Sequence, residues 1–224
     1  MPKKVDHELR REDVGRAAYL VIAEKGLAAA TLREVARKAG MSSALMVHYI
    51  KSKDQLLLAA HEYSAKLVRR RMQAIEKKHQ GLEAFRRIVW ESLPHDKERR
   101  GIFKLWLGFW EMAGQDPQVR AKLNAGYRES QERYEFHLRK AQALGELPPN
   151  LDIAFCAWSA SVFLDGIGVQ TLLGDNMISS QMQKKHLDGW IDAALQSPNS
   201  LRKAVGAARP KKPSKPKLSR ARRP

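Results

Sequence analysis

Cysteine is all but missing, since Cys156 is the only one in 224 residues. A lone thiol excludes an internal disulfide and any zinc site built on cysteine pairs, and it suits a reducing compartment. The seven histidines are scattered, without a His-Glu-x-x-His pair or another metal spacing. There is no phosphate-cradling glycine loop and no nucleophile elbow. Cys156 itself lies in an apolar run, where a thiol is normally inert. These absences argue against an enzyme, and none of the remaining residues implies a metal or a cofactor. Sustained period-two alternation of β-branched residues is also lacking, so no sheet is expected. The opening residues, MPKKVDHELRRED, have no apolar core behind their charges and do not read as a secretory signal.

Acidic residues are the other shortage: 24 stand against 41 lysines and arginines, a formal net charge of +17. Such an excess attracts phosphates or anionic lipid. It is unevenly placed. Between Leu201 and Pro224 there are ten basic residues and no acidic one, and without them the charge falls from +17 to +7. That stretch holds four prolines and few large apolar side chains. It cannot bury enough surface to offset its ordering entropy and is expected to be a disordered basic tail over 201–224. One reading is a solvated tail; the other is a basic arm that adds non-specific DNA affinity.

What is present reads as helix nearly throughout. Helices are expected near 8–25, 31–38, 42–48, 52–78, 81–93, 99–115, 117–145, 150–174 and 178–197, divided by Gly and Pro punctuation. The fold class is all-α. The run LDIAFCAWSASVFLDGIGVQTLLG at 151–174 is long enough to span a membrane. Asp165 near its middle would be costly in lipid, so a helix buried between protein neighbours is the better reading.

The stretch TLREVARKAGMSSALMVHYIKSKDQL, residues 31 to 56, decides the function class. Thr31 with Glu34, and Ser52 with Gln55, have the spacing of capping boxes, and Ser42 caps a short helix between them. Gly40 suits the left-handed residue that ends a helix. Two short helices around a tight turn need a small residue at their crossing, which Ala36 provides. Val35, Ala39, Met41, Met46 and Tyr49 fall where a shared core would lie. This is the spacing of a helix-turn-helix over about 31–50, with 42–48 as the recognition helix.

Ser43, Ala44, Val47 and His48 fall on the exposed face of that helix and are candidates for base contact. A serine hydroxyl can bond a base edge, and Ala44 or Val47 can touch a thymine methyl. With no Arg or Asn available for a bidentate base contact, readout would lean on shape, water and apolar contact. Thr31, Arg33 and Ser42 lie at helix N-termini suited to phosphate, while Tyr49 and Lys53 flank the other side. One such motif covers few base pairs, so two-fold symmetric binding to a palindromic operator in double-stranded DNA is expected. Helix 153–173 is apolar on nearly every face, and Ile178, Met182, Leu187, Trp190, Ile191 and Leu195 make a stripe on the next. Two such helices per subunit would form a four-helix bundle across a homodimer dyad.

Phe103, Trp106 and Trp110 share one face at i, i+3 and i+7, and Trp158 and Asp165 lie on another apolar helix. Aromatic faces beside an acid can hold a quaternary ammonium. Equally, aromatics at helical spacing can be plain core, and Asp165 can hydrogen-bond across a dimer interface.

The segment EKGLAAATLREVARKAGMSSALMVHYIKSKDQLL, residues 24–57, resembles the amino-terminal signature of the TetR-type transcriptional regulators. It departs from that pattern at Val47, where the family often has an aromatic, and at Ile50, where it has Phe. His48-Tyr49 is similar to the choline-responsive repressors of the BetI kind. KLWLGFWEMAGQDPQVRAKL (104–123) and FLDGIGVQTLLG (163–174) are similar to the carboxy-terminal half of those repressors. The resemblance implies backbone-clamp roles for Thr31, Tyr49 and Lys53, dimerisation through the last helices, and a choline-like effector. It also implies that bound effector releases DNA.

The resulting expectation is a helix-turn-helix DNA-binding domain at 1–52, a helical regulatory and dimerisation domain at 53–200, and the tail. The protein would be a cytoplasmic repressor, associated with the nucleoid when bound to DNA. The competing reading is an architectural DNA-binding protein dominated by its tail.

Overall fold

The structure, a computed structural model, describes residues 2–174 and 178–196, so the tail at 201–224 lies outside the described residues. The chain runs through α1 (Pro2–Lys25), a 3-10 turn (Leu27–Ala29), α2 (Leu32–Ala39), α3 (Ser43–Tyr49), α4 (Lys53–Glu76) and α5 (Gly81–Glu91). It continues through α6 (Lys97–Gln115), α7 (Pro117–Ala143), α8 (Ile153–Leu173) and α9 (Ser180–Gln196). All nine expected helices form among the described residues, and seven of them start at a side-chain cap, whereas α5 follows Gln80 without one. Asp96 accepts from the Arg99 N–H at 2.8 Å, which starts α6 earlier than expected. Asp152 accepts from Phe155 N at 3.1 Å and Ser179 from Met182 N at 3.2 Å, which delays α8 and α9. The first helix begins at Pro2 rather than near residue 8, with proline at a position where no helical N–H is needed. The 3-10 turn was not foreseen.

The amino-terminal helices share one core. Val14, Ala18 and Ile22 of α1 meet Val35 and Ala36 of α2, Met46 of α3, and Leu56 and Ala60 of α4, all buried. Of the shared-core residues expected from the sequence, Val35 and Met46 are fully buried, and Ala39, Met41 and Tyr49 pack around them half-buried. This core does not stop at the head: Ile102 and Leu105 of α6 complete it. Two glycines permit that approach. A Cβ added at Gly101 would lie 2.5 Å from the Ala23 Cβ, and one at Gly108 would lie 2.7 Å from the Leu27 side chain.

A second core fills the body, where Phe85 and Ile88 of α5, Leu138 of α7, Ala157 of α8, and Leu187, Ile191 and Leu195 of α9 are buried together. At its edge Arg71 of α4 pairs with Glu91 at 3.2 Å and with Glu98, while Arg99 pairs with Glu91 and Asp96. By length and composition α8 could cross a membrane. Instead one side of it builds this core. Its other side leaves Phe155, Trp158, Val162 and Leu173 exposed, with Val162 at 69% and Leu173 at 71%. Met182 of α9 is also exposed, at 44%.

Candidate functional site

The head presents two helix starts to solvent. Thr31 Oγ1 accepts from Glu34 N, and Ser42 Oγ from Leu45 N, each at 3.2 Å. Ser52 does the same for Gln55 N at 3.2 Å. The return bonds expected of capping boxes go elsewhere. Glu34 accepts instead from Lys25 at 2.6 Å and Arg37 at 2.7 Å, which hold its carboxyl well below the usual range, Arg37 most strongly. Gln55 Oε1 accepts from Lys51 N at 2.8 Å, one residue before the cap. Between α2 and α3, Gly40 takes a left-handed φ of 67°, and Met41 N bonds back to Ala36 O at 2.9 Å. That turn brings the starts of both helices to one surface groove of about 410 Å³, lined in part by Thr31, Arg33, Arg37, Ser42 and Ser43. Unpaired N–H groups and the positive ends of two helix dipoles favour an anion there.

On α3, Ser43, Ala44, Val47 and His48 are all exposed, while Met46 points into the core. The face they make is mostly apolar, and Leu45, 41% exposed, extends it. Tyr49 is half-buried with the His48 ring edge-on to it, centroids 5.2 Å apart. Lys53 is exposed at the first turn of α4. Eight of the nine candidate DNA contacts are thus exposed and Tyr49 is half-buried, with Thr31, Arg33, Ser42 and Ser43 sharing the groove. Sequence reasoning missed Arg37 and Leu45; Arg37 is one helical turn beyond Arg33, a spacing that was available to read.

In the body, four of the five aromatic and acidic candidates come together. The rings of Phe103 and Trp110 meet edge-on at 6.1 Å, and Phe103 fits against Gly168 of α8, whose added Cβ would overlap it at 2.0 Å. Trp106 meets Tyr127 of α7 at 6.4 Å. The Tyr127 hydroxyl donates to Asp165 Oδ2 at 2.8 Å, so Asp165 bonds within its own chain. Burial raises the Asp165 pKa, opposed by the Tyr127 hydrogen bond. Burial and then the Asp165 charge push Tyr127 well up, while the side chain of Trp110 opposes that rise. No lysine or arginine contributes to the shift at Asp165. A desolvated carboxylate beside electron-rich rings is a site for a cation.

Trp158 does not join this group. It is 56% exposed on the outer side of α8, because the turn of that helix directs it away from α6 and α7. Phe163 of the same helix stacks on Trp190 of α9 at 5.3 Å. Tyr127 was missed because it sits in a stretch crowded with charges that reads as a solvated face. His61 of α4 was missed too: it stacks on Phe109 at 3.9 Å and stands edge-on to Trp106 at 5.5 Å. Burial lowers its pKa to about 4.

Known proteins match both halves. Residues 16–60 match the bacterial regulatory proteins of the tetR family, and residues 81–196 match the carboxy-terminal domain of BetI-type transcriptional repressors. A protein from Stenotrophomonas maltophilia named HTH-type transcriptional regulator BetI is 29% identical over 202 residues, covering 88% of this chain and 98% of that one. The HTH-type transcriptional regulator PksA of Bacillus subtilis is 32% identical over 110 residues, 49% of this chain and 54% of its own. Among solved structures, a transcriptional regulator from Saccharomonospora viridis in complex with choline superposes with a TM-score of 0.75 at 26% identity. That match covers 84% of this chain and 97% of that one. Both family matches fall within residues 16–196, ahead of the basic stretch, which leaves the tail-driven architectural reading unsupported. The chain belongs to the TetR family of bacterial regulators, with a BetI-type carboxy-terminal half, and is a ligand-responsive DNA-binding repressor rather than an enzyme.

Proposed function

We propose that this protein is a homodimeric repressor that reads a palindromic operator through α3 and is released by a quaternary ammonium effector held at Asp165. The observation that carries the effector reading is the half-buried Asp165 carboxyl, bonded to Tyr127 among the rings of α6 and without a cationic partner contributing at the site. A carboxylate taken out of water needs a counter-charge, and a quaternary ammonium supplies one without needing hydrogen bonds in return. The choline in the Saccharomonospora viridis structure supports that class.

For DNA, Thr31, Arg33, Ser42, Tyr49 and Lys53 would hold phosphates, while Ser43, Ala44, Val47 and His48 face the bases. The exposed apolar side of α8, with Met182 of α9, supports a dimer through these two helices. The protein would act in the cytoplasm, on nucleoid DNA.

The test is a DNA footprint upstream of the protein's own gene at about 0.2 M salt, where non-specific binding is weak, with and without choline. A discrete two-fold-symmetric protected site that choline abolishes is the expected result. A protected site that is indifferent to choline and other quaternary ammonium compounds would remove the effector class.

A further inference from the structure

Asp165 has a neighbouring rung that the cation does not use. Gln131 of α7 is only 6% exposed, and its Nε2 donates to Ser161 Oγ of α8 at 2.8 Å. Its Oε1 is buried and has no hydrogen-bond partner among the described residues. A buried amide oxygen left without a donor is costly, and such orphans mark a place where a ligand or an ordered water completes the site.

The register of the two helices places Gln131 one turn from the proposed cation site. Tyr127 and Gln131 are four residues apart on α7, and Ser161 and Asp165 are four apart on α8. Residues four apart share a helix face. Tyr127 bonds Asp165, and Gln131 bonds Ser161, so the two bridges are successive rungs between the same antiparallel helices. Successive rungs are separated by one turn, about 5.4 Å. A two-carbon chain between a cationic nitrogen and a hydroxyl oxygen, plus one hydrogen bond, covers that separation.

We infer that Gln131 is a specificity-determining residue whose free Oε1 accepts a hydrogen bond from a hydroxyl on the effector, selecting hydroxyl-bearing quaternary ammonium compounds over those that end in a methyl group. The inference rests on Asp165 being the partner of the cation. Asp165 supplies the charge attraction that any ammonium shares. Gln131 adds discrimination, because a ligand without a donor leaves the amide oxygen unpaired on binding.

The experiment is calorimetric titration of the full chain with choline and with n-propyltrimethylammonium, which has the same outline with a methyl in place of the hydroxyl. Wild type is expected to prefer choline by about tenfold, the worth of one buried hydrogen bond. Gln131→Leu and the length-preserving Gln131→Met are expected to erase the preference while still binding n-propyltrimethylammonium. Thermal unfolding of each variant checks that it folds. If neither variant folds, the wild-type pair still decides. Equal wild-type affinity for the two ligands, or a preference that survives in a folded variant, would overturn the role of Gln131 and leave an ordered water as its partner, with Asp165 untouched. If wild type binds neither ligand, the Asp165 reading fails and takes this one with it.

Discussion

Tyr127 and Asp165 are 38 residues apart in sequence and 2.8 Å apart in space, and their bond ties α7 to α8 beneath the rings of Trp106 and Trp110. Burial leaves that carboxyl partly desolvated and, against the pull of the bond, lifts its pKa above the ordinary 3.8.

That raised pKa fixes the sign of one prediction. In the unfolded chain the group ionises earlier, so folding loses stability as pH rises through the carboxylate range. Asp165→Asn is expected to melt higher than wild type at pH 7 in the absence of ligand, and the difference should shrink below pH 3.8, where both forms are neutral. The same variant should lose choline affinity by about 2 kcal/mol or more, upward of about thirtyfold. Melting curves with and without choline report both; a lower melting point at pH 7 would contradict the account.

Lys53 and Val47 should fail differently. Lys53→Ala removes a proposed phosphate contact and is expected to weaken all sequences alike, lowering the salt slope of binding by about one. Val47→Ala removes an exposed apolar contact and should blunt discrimination at one base pair per half-site by about 1 kcal/mol with the salt slope unchanged. Binding to operator variants across a salt series separates them, and the assignment fails if the two variants behave alike.

Gly101 faces Ala23 with no room for a methyl group. Gly101→Ala is expected to cost about 1–3 kcal/mol through overpacking. Ala23→Gly in the same chain should recover part of it, although glycine within α1 costs about 1 kcal/mol itself. Denaturant unfolding of both singles and the double closes the cycle, and strict additivity would show that the two positions do not meet.

Val162 is 69% exposed at the middle of the outer side of α8. Placing a charge there should disrupt a dimer formed through that face. Sedimentation of Val162→Glu is expected to give monomer at concentrations where wild type is dimeric, together with loss of operator binding. An unchanged dimer would move the interface elsewhere.

The head was largely legible in the sequence because its signals are local. Caps at Thr31, Ser42 and Ser52 and the glycine at 40 act within four residues, and their phase alone specifies the turn. The body was legible only as helices. Trp106 and Trp110 showed as an aromatic face, but Trp158 looked equivalent and proved to be exposed. Apolarity alone does not reveal which side of α8 turns inward, since both sides are apolar. Tyr127 and Gln131 were hidden among charged neighbours, and only contact with Asp165 and Ser161 distinguishes them. The close passages of Gly101 past α1 and of Gly108 past the 3-10 turn join segments about 80 residues apart, and no periodicity encodes such a meeting.

Ile102 and Leu105 have a consequence for anyone recombining such regulators. Because these two side chains from α6 seal the core that holds the reading helix, a fragment ending after residue 60 would expose a greasy seam along α1 and α4. A chimaera that grafts this head onto another body must therefore also bring a matching strip of α6, with glycines where α1 and the 3-10 turn pass closest. Head and body are inherited as a fitted pair.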